Sequence, residues 1–525
     1  MKISNISKFL LLFLISLCLH AASAADKHND FFKCITQNDF NNNVYTPSNS
    51  SYSSILRFSI QSLTFISDST PKPAVIVQPD RETQIPPVIY CAKASGLQIR
   101  TQSGGHDYEG LSYVAHAPFV ILDLINREEI TVDAAEKTAW VGAGATIGSL
   151  YYRIAEKSPV LGFPAGVCPT VGVGGHISGG GYGTLMRKYG LAADQVIDAR
   201  IVDVNGIILD RKSMGEDLFW AIRGGGGPSF GVITAWKVQL VDIPETVTVF
   251  NAGRTLEQNI NHLIHKWQSI APEFVDDLFV RIIILPFDVQ GRNKTIQAIF
   301  NSLFLGKIDT LVPSMQKSFP ELGLVREDCR EMSWIESALF LATFPIDAPE
   351  MLLNRTQSVV KYFKAKSDYV KKPISESGLK GILRRMFEAE AGQSVIILTP
   401  YGGRMSEIPS SATPFPHRAG NLYKIQHLVY WNESENQDSE SYTSWMRRLY
   451  SYLTPYVSRS PRQAYLSYRD LDIGVNNPDG KTSYKRASIW GKKYFLGNFD
   501  RLVRVKTMVD PHNFFKNEQS IPPLH

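Results

Sequence analysis

Between residues 71 and 243 short apolar runs alternate with turns, which is the pattern of strands rather than of long helices. Residues 74–77, 97–101, 119–124 and 138–141 are expected strands. Asn205-Gly206, between the runs 199–204 and 207–209, is an expected hairpin turn, because the tight turns that match strand twist need positive φ. Residues 82–95 and 147–157 carry helical spacing, with Pro86-Pro87 held to the start of the first, since proline brings no N–H to a helix interior. From about Pro244 the stretches lengthen: 256–267 reads as an amphipathic helix, and 279–285 and 394–398 as strands. Beyond Tyr465 long apolar runs are few, so the tail is expected to pack on a core built elsewhere. There is no internal repeat and no low-complexity linker. The expectation is an α+β chain in two parts, the first unusually rich in glycine.

A chain of 525 residues with 44% hydrophobic content buries a large core and has room for two or three packed units. Its start has a different purpose. Lys2 and Lys8, the apolar run 9–19 and Ala22-Ser23-Ala24 have the layout of a cleaved export signal, so residues 1–24 are expected to be removed. That run is too short to span a bilayer, and no later stretch reaches about eighteen residues without charges, which argues against a transmembrane anchor. The net charge of +5 falls to +3 without the two signal lysines, with acidic and basic residues mixed, and this argues against a nucleic-acid partner. Solubility accounts for such a balance; adhesion to an acidic cell wall is the alternative. After Cys18 leaves with the signal, Cys34, Cys91, Cys168 and Cys329 remain, and in an oxidising compartment two should pair. Spacing alone does not say which. Asn49, Asn293, Asn354 and Asn432 each head an N-x-S/T sequon and are expected glycosylation sites of an exported chain.

Three glycine clusters carry the candidate chemistry. In the first, an expected strand runs into Ser103-Gly104-Gly105-His106-Asp107-Tyr108-Glu109-Gly110 and delivers a histidine beside backbone that can approach a ligand closely. The second runs from Gly166-Val167-Cys168-Pro169-Thr170-Val171 through Gly172, Gly174, Gly175, His176, Gly179, Gly180 and Gly181 to Tyr182-Gly183; seven of the twelve residues from Gly172 are glycine. Neither helix nor strand interiors favour that density, and the flanks are apolar, so the segment suits a backbone that wraps a flat, phosphate-bearing cofactor. The third, Gly224 to Gly231, contains Gly227-Pro228-Ser229-Phe230-Gly231, which meets the G-x-S-x-G pattern of serine hydrolases. A helix-like stretch precedes that serine and a strand-like one follows it, the reverse of what a hydrolase elbow requires. No cluster spells G-x-G-x-x-G, so a Rossmann dinucleotide site is not expected.

Taken together these segments, with Arg187-Lys188-Tyr189-Gly190, Asp217-Leu218-Phe219-Trp220, Tyr468-Arg469-Asp470-Leu471-Asp472 and the tail Asn517-Glu518-Gln519-Ser520-Ile521-Pro522, resemble the plant berberine bridge enzyme-like flavoproteins of the vanillyl-alcohol-oxidase superfamily. The resemblance covers nearly the whole mature chain. It implies a two-part PCMH-type FAD-binding domain (25–70 and 71–245), a substrate-binding domain with an antiparallel sheet covered by helices (246–462), and a C-terminal segment returning to the FAD domain (463–525). It also implies FAD bonded twice, through its 8α carbon to His106 and through C6 to Cys168, within a shell of Ser103, Gly104, Gly105, Asp107, Gly174, Gly175, His176, Gly179, Gly180 and Gly181. The disulfide it implies joins Cys34 to Cys91. No metal is expected.

Flavin oxidation of a C–H bond needs a base to take the acidic proton as hydride leaves. The resemblance places Tyr108, Tyr182, Tyr468, Lys424 and Gln426 around the substrate. Tyr182 or Tyr468 is the expected base. A phenol with a pKa of about 10 needs help at neutral pH, and Lys424 is expected to lower it while Gln426 orients the substrate hydroxyl. Glutamine at 426, where the alkaloid-cyclising relatives carry a glutamate base, argues against ring closure. By the same resemblance Val171 matches a position over the oxygen-reactive face of the flavin, where a small side chain admits O2. The expected protein is a secreted monomeric oxidase, destined for the cell wall or vacuole, acting on an alcohol, sugar or specialised metabolite and releasing H2O2. A dehydrogenase with poor oxygen use, an oxidative cyclase, a hydrolase and a non-catalytic yellow protein are the alternatives.

Overall fold

The computed structural model describes residues 27–38, 40, 43–58, 60–288, 294–357, 360–477 and 481–524; the expected signal segment and Asn293 lie outside them. Within that range the chain is α+β. Strands Val44–Tyr45, Val75–Val77, Phe119–Asp123 and Gln98–Gln102 form one sheet in that spatial order, the last three mutually parallel. Parallel strands need a crossover, and the helix Ile85–Ala94 supplies it with Pro86 and Pro87 in its first turn, where a missing N–H leaves no bond unmade. A second, antiparallel sheet is ordered Ile130–Asp133, Thr138–Gly142, Val232–Gln239, Val196–Val202 and Ile208–Leu209. The expected hairpin at Asn205-Gly206 is present, with Gly206 at φ +77°. Pairing stops at Val202 rather than Val204, because the Asp203 carboxylate accepts the amides of Asn205 and Ile207 at 2.9 and 2.8 Å and closes the turn early.

Downstream, seven antiparallel strands form one sheet in the order Cys329–Met332, Val247–Thr255, Thr295–Phe304, Leu278–Phe287, Gln393–Pro400, Tyr423–Trp431, Tyr362–Val370. Side chains alternate across a strand, so the sheet has two different faces. Ile282, Leu398, Tyr423, Ile425 and Val429 pack against the helices Ile260–Ile270, Glu376–Arg385 and Ser439–Leu453. Lys424 and Gln426 occupy the intervening positions of their strand. The helix expected over 256–267 begins only at Ile260, because Leu256–Gln258 is a 3-10 turn and Asn259 adopts φ +57°, a left-handed conformation that asparagine tolerates.

The tail forms helices Tyr484–Phe495 and Phe499–Val509, whose Trp490, Phe499 and Leu502 join the same core as Trp220 and Trp236. Cys34 and Cys91 form a disulfide, leaving Cys168 and Cys329 free. Asn49, Asn354 and Asn432 are exposed. Among the described residues no helix is long and apolar enough to cross a membrane.

Arg187 ties the glycine-rich half to the seven-stranded sheet. Fully buried, its guanidinium donates to the carbonyls of Leu278 and Pro272 at 3.0 Å and also to those of Phe274 and Tyr401. Burial pulls its pKa down to about 10, with Asp276 and Glu273 acting in the opposite direction.

Candidate active site

The strand Gln98–Gln102 ends in the loop that carries His106. Along it, the amides of Gly104, Gly105, His106 and Asp107 find no acceptor among the described residues. Four successive unmet donors in a glycine-bearing turn suit a ligand with acceptor oxygens. Asp107 holds the turn beyond them, its Oδ1 accepting the amides of Glu109 and Leu111 at 3.0 and 3.1 Å. The loop then touches the second glycine cluster directly: a Cβ on Gly104 would lie 2.3 Å from the Gly172 nitrogen, and one on Gly172 would lie 2.1 Å from Ser103 Oγ. Gly174, Gly179, Gly180 and Gly181 are likewise packed against protein, whereas a Cβ on Gly175 would enter open space. Much of the glycine density therefore serves the close approach of two loops, and Gly175 is the position in that run with open space beside it.

His106 projects from the first loop and Cys168 from the second. Thr170 Oγ1 and Gln357 Nε2 lie 3.0 and 3.1 Å from His106 Nε2, and Thr170 donates to Gln357 Oε1 at 3.1 Å. Both of these side-chain contacts fall on Nε2, and none falls on Nδ1. Burial lowers the imidazole pKa to about 4, so it is neutral at physiological pH and its unprotonated nitrogen is nucleophilic. The Cys168 side chain is accessible from the cleft yet lies deep in the protein: burial raises its thiol pKa, and Arg281 pulls the other way. Val171, which closes the turn by donating its amide to the Cys168 carbonyl at 3.3 Å, is half-buried against the adjoining core. His176 accepts the Gly166 amide at 3.2 Å, and burial keeps it neutral with a pKa of about 3.

Opposite these groups stands a cluster of phenols. Tyr182 and Tyr468 share a short hydrogen bond, and Tyr108 stacks on Tyr468 with 5.6 Å between ring centroids and 1° between planes. Gln426 donates to the Tyr108 hydroxyl at 2.8 Å. Lys424 points its nitrogen at ring faces, 3.2 Å from the centroid of Tyr182 and 4.1 Å from that of Tyr465. Burial forces its pKa well below the ordinary lysine value. Burial also raises Tyr108, Tyr182 and Tyr468; for Tyr182 this is opposed by hydrogen bonds from Tyr468 and Thr399 and by the charge of Arg281.

Arg281, Thr170, Gln357 and Tyr465 are members of this constellation that sequence reasoning missed. Arg281 had a visible signal, a cation in the otherwise apolar run Leu278–Leu285, and it makes no ion pair among the described residues. Its Nε donates to Asn301 at 2.7 Å, and its charge reaches Tyr182, Cys168 and Tyr468. Gln357 carried no signal, because its partner lies 251 residues away. Ser229 is buried, its hydroxyl accepting the Ile521 amide at 3.1 Å, and is placed as a tie to the tail rather than as a nucleophile.

A polar cavity of about 70 Å3 adjoins Asp107, lined also by Arg100, Ser112, Arg469 and Asn517. Arg100 Nε and Ser112 Oγ are buried there without a hydrogen-bond partner, and Arg469 Nε faces the Asp107 carboxylate at 3.7 Å, beyond hydrogen-bond reach. Unmet amides, orphaned buried donors and an open glycine fit a flat cofactor bearing phosphates.

Comparison with known proteins agrees. Residues 73–211 match the FAD binding domain family, and residues 464–522 match the berberine and berberine-like family. The fold is that of a family of FAD-dependent oxidoreductases. Tetrahydroberberine oxidase of Berberis wilsoniae is 53% identical over 510 residues, 96% of this chain and 95% of that one. The structure of the berberine bridge enzyme-like protein number 28 of Arabidopsis thaliana superposes with a TM-score of 0.90 at 49% identity, covering 95% of this chain and all of that one. The grass pollen allergen Phl p 4, a glucose dehydrogenase, superposes with a TM-score of 0.90 at 44% identity over 94% of this chain and 100% of its own; its isoleucine-to-valine variant is a glucose oxidase. This chain belongs to the berberine bridge enzyme-like family.

Proposed function

We propose that the protein is an exported oxidase that carries FAD bonded to His106 and Cys168 and oxidises a CH–OH group of an alcohol, sugar or specialised metabolite, passing the electrons to O2 as H2O2. The observation that carries this reading is the convergence on one cleft of a neutral imidazole, an accessible thiol and a set of phenols with buried cations beside them. FAD, when bound, supplies the hydride acceptor. The amides of 104–107 and the open backbone at Gly175 would hold it, and His106 Nδ1 and Cys168 Sγ are the attachment atoms.

The remaining steps belong to the chain. Gln426 and Tyr108 orient the substrate hydroxyl. Tyr182, hydrogen-bonded to Tyr468, takes its proton as hydride leaves the carbon. Burial alone would make both phenols poor bases, so Arg281 and an ammonium on Lys424 are needed to favour the phenolate. Lys424 acts through the ring face rather than beside the oxygen. Val171 leaves room for O2, in keeping with the effect of valine in Phl p 4. The disulfide, the exposed sequons and the leader-like first residues support export.

Acid denaturation tests the attachment: yellow colour should stay with the polypeptide, and His106→Ala and Cys168→Ala should each leave one bond. Free flavin from the wild type would refute it. A peroxide-release screen across sugars, aromatic alcohols and alkaloids tests the activity. Flavin reduction without peroxide in every class would replace the oxidase with a dehydrogenase.

A further inference from the structure

Among the described residues most ion pairs lie at the surface and several are buried; one of the buried sets joins three segments distant in sequence. Lys364 and Lys366 lie two apart on the strand Tyr362–Val370 and so share a face. Lys364 bonds the Glu109 carboxylate and lies 3.3 Å from Asp470. Lys366 reaches Asp470 and Asp472 at 2.7 Å each. Glu109 Oε1 also accepts the amide of Leu471 at 3.3 Å, and Asp472 is held from outside by Arg447 at 2.9 Å. Only 2% of the Lys366 and Asp470 side chains is exposed, so these charges have given up their hydration. A buried ion network is a weak source of stability compared with apolar packing, and its best-attested use is to fix one arrangement among several.

What is fixed here is specific. Glu109 follows Tyr108, and Asp470 comes two residues after Tyr468. These are the two rings that lie parallel, and they come from segments far apart in sequence. We propose that Lys364 and Lys366 are positioning residues for the oxidation reaction: by gripping Glu109 and Asp470 they hold the Tyr108 and Tyr468 rings in parallel register, and with them the hydroxyl that orients substrate and the phenol pair that removes its proton. This rests on the function proposed above. Neither lysine touches the reacting atoms; each acts through a carboxylate tied to a tyrosine. Charge is balanced within the network, with Glu109, Asp470 and Asp472 against Lys364, Lys366 and Arg447, so loss of one lysine leaves a buried carboxylate unmatched.

The test uses the full-length flavinylated protein with Lys364→Met, which keeps the stem and removes the charge, and Lys364→Arg, which restores it. Anaerobic flavin reduction by a substrate found in the peroxide screen should slow at least tenfold in Lys364→Met, with substrate affinity changed less than threefold and reoxidation by O2 within twofold of wild type. Lys364→Arg should recover most of the rate. A crystal structure of Lys364→Met should show the two rings departing from parallel by more than about 20°. Wild-type reduction rates in Lys364→Met overturn the proposal, as do parallel rings in its crystal structure, whether or not a substrate has been found. If Lys364→Met does not fold, Glu109→Gln, which keeps the acceptor for Leu471, takes the same measurements with the same two outcomes. Failure of wild-type protein to be reduced by any substrate class counts against the oxidase reading instead.

Discussion

Lys424 places its side-chain nitrogen 3.2 Å from the centroid of the Tyr182 ring, over its face rather than beside its hydroxyl. Among the described residues no carboxylate pairs with it. Burial disfavours the ammonium, and burial also disfavours the phenolate, which hydrogen bonds from Tyr468 and Thr399 oppose. Arg281 adds a second positive charge on the side of Tyr182.

The pH dependence of flavin reduction follows from that relationship. A base must be deprotonated to act, so the rate should rise with pH along a limb set by the phenol. Removing a cation raises the phenol pKa, so Arg281→Met and Lys424→Met should each move the limb to higher pH and slow reduction at neutral pH, by tenfold for each unit moved. Stopped-flow reduction between pH 6 and 10 reads the shift. A limb unmoved in both variants would assign the base elsewhere.

Oxygen use should depend on the side chain at 171. Val171 is half-buried in the turn that begins at Cys168, and one more methylene there fills space. Reoxidation of the reduced Val171→Leu enzyme should slow by an order of magnitude or more while anaerobic reduction is unchanged. Equal reoxidation of the two proteins sinks the gatekeeper role.

Acid stability should reflect His417, which stacks on Tyr369 at 4.0 Å and hydrogen-bonds Gln463 at 3.0 Å. Burial depresses its pKa to about 3 against an unfolded value of about 6.5. The neutral ring is the folded form, so its contribution is complete above pH 6.5 and is lost as pH falls from there toward 3, at about 1.4 kcal/mol per pH unit. His417→Asn should flatten the fall in melting temperature across that window. An unchanged slope would mean that other groups govern acid unfolding.

Arg187 offers a test of how the two halves are joined. Its guanidinium serves four carbonyls that have no water to turn to, and Arg187→Met leaves them unmet, at about 1–3 kcal/mol each where no rearrangement supplies a donor. Denaturant unfolding should show a loss of about 3 kcal/mol or more. A loss below about 1 kcal/mol would mean that the carbonyls find other partners.

Local chemistry was legible in the chain wherever a residue's role depends on its neighbours in sequence. Helix 147–157 matches the observed Ile147–Lys157, because its N-cap Thr146, bonded to the Ser149 amide at 3.2 Å, and its apolar spacing are all local. The same holds for Pro86-Pro87 at a helix start and for the Asn205-Gly206 turn. The glycine clusters announced a wrapped cofactor, and the ordered motifs announced the family. Tertiary structure alone decided which glycines face protein and which face open space, since Gly104 and Gly172 meet only when two loops dock. It alone put Gln357 on His106, turned Lys424 over a ring face, and brought Arg281 from another strand of the same sheet to the phenols. These contacts join residues tens to hundreds of positions apart, and their geometry is fixed by strand register and packing, which no local pattern encodes.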